Sequence, residues 1–143
     1  MNIIICGAGR VGFTISKLLA EQNHSITVID QSSEDIQKIN ETLDVKAIVG
    51  KATSPEILDR ANTAEADMLI AVTRNDEIYM LICQIAYSLF KVPKKIARIR
   101  SQEYLISQIK KFGGNISKTA KFVGMERSAL HRKLKLLGVK DLN

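Results

Sequence analysis

The spacing of hydrophobic positions changes several times along this chain, and the changes divide it. Residues 2–6 (NIIIC) form a short, unbroken apolar run stopped by Gly7, as expected of a strand buried on both faces. From Arg10 to Gln22 the apolar residues Val11, Ile15, Leu18 and Leu19 return at helical spacing. SITVID (25–30) predicts a second strand. SSEDIQKINETL (32–43) predicts a helix, with Ser32 or Ser33 as N-cap and acids in its first turn. DVKAIVG (44–50) predicts a third strand, SPEILDRAN (54–62) a short helix opened by Pro55, and ADMLIAV (66–72) a fourth strand. NDEIYMLICQIAYSLF (75–90) reads as a long, largely apolar helix, and KKIARIR (94–100) as a fifth strand after Pro93.

Strands and helices alternating at these intervals predict an α/β fold, a Rossmann-like doubly wound parallel sheet of about five strands. Then the alternation stops. SQEYLISQIKKF (101–112) is helical, Gly113-Gly114 ends it, and Asn115 can cap another helix. A small all-α tail is therefore expected, with no Gly/Ser-rich linker before it. The predicted division is 1–105 and 106–143.

Composition adds two restrictions. An apolar share of 45% and a charged share of 25% suit a soluble globular protein. No apolar run approaches the roughly 18 to 20 residues that cross a bilayer, and IIIC is too short for a secretory leader, so a cytoplasmic protein is expected. Cys6 and Cys83 have neither partner cysteines nor histidines at metal-ligand spacing; they read as buried reduced thiols, with no metal site.

Charge separates the two parts more sharply. Residues 1–105 carry 12 Lys+Arg against 13 Asp+Glu, whereas residues 106–143 carry 9 against 2. The whole net charge of +6 thus comes from the tail. That imbalance suits a polyanion, and a solvated basic helix would produce it too.

The first candidate site is GAGRVG, with glycines at 7, 9 and 12 between a strand and a helix. In that context Gly7 permits a tight turn, Gly9 lets a pyrophosphate approach the backbone, and Gly12 lets helix and strand pack closely. Phosphates there would meet free N–H groups and the positive end of the helix dipole. Asp30 ends the second strand, 18 residues beyond Gly12, where a carboxylate can accept from ribose hydroxyls. Its charge disfavours a 2′-phosphate, so NAD or an adenosine nucleotide fits better than NADP. Otherwise Asp30 would be a strand-end residue serving the next helix.

MNIIICGAGRVG, ITVID, ADMLIAVTRNDE, CQIAYSLF and IARIRS together resemble the N-terminal domain of TrkA, the RCK or KTN family of potassium-uptake regulators, over residues 1 to about 105. The resemblance implies a domain that binds NAD(H) or ATP/ADP and passes the binding state to a membrane potassium transporter subunit. It implies no hydride transfer. On this sequence the family's glycine loop falls on Gly7, Ala8, Gly9, Arg10 and Val11, and its ribose acid on Asp30. The loop after the fourth strand falls on Thr73 and Arg74, and the phosphate-contacting arginine on Arg98. Association of such domains implies a homodimer, cytoplasmic or peripheral at the inner face of the membrane.

The second candidate site is GGNISKTAKFVGMERSALHRKLKLLG (113–138). With Gly124 as the turn, Ala120 stands four residues before it and Leu130 six after, where a helix-turn-helix wants a small and an apolar residue. Ile116, Ala120 and Val123 form one apolar stripe, and Leu130, Leu134 and Leu137 the other. Ser128, His131, Arg132 and Lys135 are left facing outward, with Arg127 beside them. Periodicity alone leaves open a basic helix that stays solvated. The words of the motif resemble the Fis-type domain that ends NtrC-family response regulators, the NtrX branch especially. That resemblance implies DNA contacts by Arg127, Ser128, His131, Arg132 and Lys133. Helical projection turns Lys133 partly away, toward a phosphate rather than a base.

No nucleophile, base or metal set is expected to converge on the glycine loop, and no substrate domain is expected in residues 101–143. The expected function is binding and regulation, not catalysis. A nucleotide-sensing transcription regulator with no transporter role is the alternative.

Overall fold

Ile3, Ile4, Ile5 and Cys6 are all buried along β1 (Asn2–Cys6), and their side chains alternate between two separate cores. Ile3 and Ile5 join Ile26, Val28, Ile36, Ile39 and Ile70 on one face. Ile4 and Cys6 join Ile29, Ile48, Leu58, Leu69, Tyr79, Ile82 and Cys83 on the other. A strand buried on both sides cannot alternate apolar with polar, which is why NIIIC reads as a continuous run.

The computed structural model describes residues 1–97, 102–122, 126–136 and 138, with backbone alone at 76 and 102–104. They form two compact units, Met1–Arg98 and Ile99–Asn143.

In the first unit β1 is followed by α1 (Arg10–Glu21), β2 (Ser25–Asp30), α2 (Ser33–Thr42), β3 (Lys46–Val49), α3 (Pro55–Arg60), β4 (Met68–Ala71), α4 (Asp76–Ser88) and β5 (Lys94–Ala97). The five strands are parallel in the order β3-β2-β1-β4-β5. The chain winds outward from β1 to β3, then crosses back to β4, so the order reverses between β1 and β4. Side chains of α1 pack on the Ile3/Ile5 core and those of α4 on the Ile4/Cys6 core. This is a doubly wound, Rossmann-like sheet, and ligands of such sheets bind where the order reverses, beyond the carboxyl ends of the strands.

Local chemistry sets the element ends. Ser32 Oγ accepts from Asp35 N at 3.2 Å and caps α2; Asn75 Oδ1 accepts from Glu77 N at 2.8 Å and Ile78 N at 3.2 Å and caps α4. β3 is shorter than its sequence run of 44–50, although Gly50 N still donates to Asp30 O at 2.9 Å and so extends the pairing with β2. Sequence periodicity missed a single 3₁₀ turn at Thr63–Glu65, held by Thr63 Oγ1 donating to Leu58 O at 2.6 Å. Three residues are too few to show a period.

The second unit contains α5 (Gln102–Lys111), α6 (Ile116–Phe122) and α7 (Arg127–Leu136). The division drawn from sequence at 105/106 falls inside α5. Gly113 and Gly114 close that helix with φ of +62° and +81°, and Asn115 Oδ1 caps α6 through Lys118 N at 2.9 Å. Ala120, Leu130 and Leu134 are buried where α6 and α7 pack, and the Phe112 and Phe122 rings meet at 5.2 Å between centroids.

Candidate functional sites

Two glycines of the first loop serve the fold itself. Gly7 has φ +122°, and a Cβ there would stand 3.0 Å from the Val72 carbonyl. This close approach joins the β1–α1 and β4–α4 loops at the reversal point. A Cβ on Gly12 would lie 1.8 Å from the Gly7 oxygen. Gly9 differs. Its φ of −66° suits any residue, and nothing lies within 4 Å of the Cβ it lacks. The space above the loop backbone is open there.

Gly9 is also the N-cap of α1 and has no side chain to bond the first-turn N–H groups, and no acid stands in that turn. α2 and α4 have both groups of donors occupied by Ser32 and Asn75. The positive end of α1 is thus left to an anion from outside the helix.

Asp30, half-buried at the end of β2, faces this loop. Its Oδ2 accepts from Ala8 N at 2.7 Å and its Oδ1 from Ser32 N at 2.8 Å. The carboxylate is therefore held in place by the glycine loop on one side and the start of α2 on the other. Each carboxylate oxygen has a further lone pair, and ribose hydroxyls are donors.

Thr73 is half-buried, and its Oγ1 has no hydrogen-bond partner among the described residues. An orphaned buried hydroxyl next to the Gly7 turn is an unmet demand that a phosphate oxygen can satisfy. Arg10 and Arg74 are exposed at the α1 start and in the β4–α4 loop; Val11 is half-buried and Ala8 buried. Arg98, with Arg100, lies outside the described residues. Gly7, Ala8, Gly9, Asp30 and Thr73 are thus gathered at the reversal point, and their chemistry fits a ribose followed by phosphates.

Cys6 and Cys83 are both free and buried beneath this edge. Burial pushes the Cys6 thiol well above its ordinary range, with Cys83 adding to the effect. Burial likewise pushes Cys83 up to about 11, against a lowering influence of Lys95. Neither offers a thiolate nucleophile near neutral pH.

In the second unit Arg127, Ser128, His131 and Arg132 are exposed on α7, together with Lys135. Ser128, Arg132 and Lys135 occupy the face opposite buried Leu130 and Leu134, while Arg127 and His131 flank the buried stripe. Lys133 is half-buried, off the centre of that face. Val123, Gly124 and Leu137, named for the turn and the stripes, lie outside the described residues. Sequence reading missed that Ser117, Lys118 and Lys121 are all exposed on α6, the helix paired with α7. Their spacing of one, three and four was the available signal.

A parallel sheet with its order reversing over an uncapped glycine loop defines the Rossmann class of nucleotide-binding folds. The TrkA-N domain family matches residues 3–117, and the chain belongs to that family. Residues 98–137 match the bacterial regulatory protein, Fis family. The Trk system potassium uptake protein TrkA of Azorhizobium caulinodans is 49% identical over 105 residues, covering 73% of this chain and 23% of that protein. The protein of the same name from Haemophilus influenzae is 44% identical over 112 residues, 78% of this chain and 24% of that one. The chain thus spans about a quarter of the length of these relatives.

Among solved structures, the TrkA-N domain of the Escherichia coli inner membrane protein ybaL superposes with a TM-score of 0.71 at 21% identity, covering 95% of each chain. The Shewanella denitrificans Kef CTD in AMP-bound form gives 0.67 at 19%, covering 96% of this chain and 91% of that one. The GsuK channel bound to NAD gives 0.66 at 21%, covering 80% and 20%. These likenesses establish the fold.

Proposed function

We propose that the chain is a regulatory binding module that holds NAD(H) or an adenine nucleotide, ATP or ADP, and carries a DNA-binding tail. Phosphates lie on Gly7, Ala8, Gly9, Arg10 and Val11; the ribose meets Asp30; Thr73, Arg74 and Arg98 complete the phosphate contacts. One observation supports this reading: the Asp30 carboxylate accepts from Ala8 N of a loop with no side-chain cap, so an acceptor for ribose hydroxyls lies beside backbone N–H donors for phosphate. Neighbours of the same fold whose titles include AMP and NAD support the ligand class. The module performs no reaction. Its occupancy is read by a potassium transporter subunit, as the names of its relatives suggest, and the chain acts as a homodimer in the cytoplasm or at the inner face of the membrane. Calorimetric titration of NADH, NAD, ATP and ADP tests the site; heat with none of them would reject it.

A second reading, a nucleotide-sensing transcription regulator with no transporter role, is favoured by the confinement of basic excess to the Fis-like segment. Arg127, Ser128, His131 and Arg132 then meet base edges or nearby phosphates in the major groove, and Lys133 a phosphate. DNA binding that changes with nucleotide favours this reading. Co-purification with a potassium transporter that depends on nucleotide favours the first.

A further inference from the structure

The helix before the recognition helix has an outward face with no evident use inside the chain. α6 buries Thr119 and Ala120 and turns Ser117, Lys118 and Lys121 to solvent. Lys118 and Lys121 are three residues apart, so their ammonium groups are neighbours on one helix surface, an arrangement that destabilises an isolated helix. Residues three or four away offer no relief: they are Gly114, Asn115, Phe122 and Ser117, besides positions 124 and 125, which are Gly and Met. α6 contains no acid at all, and Asn115 already caps its start through Lys118 N. Dipole complementarity accounts for Lys121 in the last turn and not for Lys118 in the middle. Two adjacent exposed cations with no acid on their own helix leave a positive face beside α7, and an external anion would relieve their repulsion.

Resting on the DNA reading of α7, we infer that Lys118 and Lys121 are positioning residues that grip the phosphate backbone of duplex DNA. α6 is the first helix of the pair, the one that crosses the backbone while the second enters the groove. Backbone contacts set register and carry no sequence information. Lys118 and Lys121 therefore contribute affinity and salt dependence, and the α7 face contributes discrimination.

The test uses the full chain and its Lys118→Gln/Lys121→Gln double variant. The probes are a duplex enriched from a randomised pool by the wild-type chain and a scrambled duplex of the same composition. Fluorescence anisotropy is read across a salt series. Two lost phosphate contacts should lower the slope of log K against log salt by about 1.8 for both duplexes. The ratio of affinities for the two duplexes should stay unchanged, whereas Ser128→Ala should alter it. Wild-type binding with an unchanged slope in the double variant overturns this inference alone. So does a changed ratio, which would make the lysines base readers. Wild-type failure to bind either duplex overturns the DNA reading together with it.

Discussion

The Asp30 carboxylate and the Ala8 amide are 2.7 Å apart, and this bond fastens the end of β2 to the glycine loop that follows β1. Residues 22 positions apart in the chain meet because β1 and β2 pair in parallel with Cys6 opposite Ile29. The carboxylate therefore has two tasks. It holds the loop in shape, and in the proposed complex its remaining lone pairs accept from the ribose. Ser32 N occupies the other oxygen and links the same carboxylate to the start of α2.

Replacing Asp30 consequently acts on stability as well as on ligand. Asp30→Ala leaves the Ala8 and Ser32 amides without their acceptor, and each unsatisfied donor costs about 1–3 kcal/mol. A urea titration should show the loss with no nucleotide present. Nucleotide affinity should fall in the variant under conditions where it is still folded. Unchanged stability would mean that the carboxylate bonds are incidental; normal binding would remove it from the ribose site.

Gly12→Ala is expected to damage the fold itself. The added carbon would be within 1.8 Å of the Gly7 oxygen, a backbone atom that cannot rotate away. Either α1 shifts off β1 or the loop unwinds, and a loss of several kcal/mol is in line with overpacking that moves backbone, ~1–3 kcal/mol or more. Denaturation midpoints without ligand check this. A variant as stable as wild type would show that α1 can slide freely.

Both thiols should resist modification in the folded chain. A neutral buried thiol must ionise to react, and burial disfavours the thiolate of Cys6 and Cys83. The sign of the pH effect follows for Cys83, whose value rises from 9.0 to about 11. The folded state holds the proton more tightly than the unfolded state, so this contribution is fully present below pH 9 and fades as pH rises toward 11. Labelling with an aromatic disulfide at neutral pH should be slow until denaturant is added. Immediate labelling of both residues would contradict their burial.

Much of the first unit was legible because its strands are short apolar runs, although β3 and β4 end inside the runs that marked them. NIIIC and SITVID coincide with β1 and β2, and Ser32 caps α2 as its place before two acids suggests. The glycine motif already assigned Gly7 to a tight turn and Gly12 to close packing; both positions are crowded, whereas Gly9 has open space where a Cβ would stand. The Asp30–Ala8 bond was hidden for another reason: it depends on strand register, which no local pattern encodes. Thr73 was assigned by resemblance, and its orphaned hydroxyl emerges only from burial. On α7 the wheel placed Ser128, His131, Arg132 and Lys135 outward, set Arg127 beside them and turned Lys133 aside; the first five are exposed and Lys133 is half-buried.

The most direct test of the nucleotide site is titration calorimetry of NADH and ATP into the wild-type chain and Gly9→Ala, with thermal unfolding of both measured beforehand. Gly9 has an ordinary backbone conformation and open space where a Cβ would go, so the substitution should cost only the N-cap preference of Gly over Ala, about 1 kcal/mol. The methyl would stand where a pyrophosphate must approach the loop, and affinity should fall by about tenfold or more, ~1.4 kcal/mol. Undiminished binding by a folded Gly9→Ala would contradict the placement of phosphates on this loop.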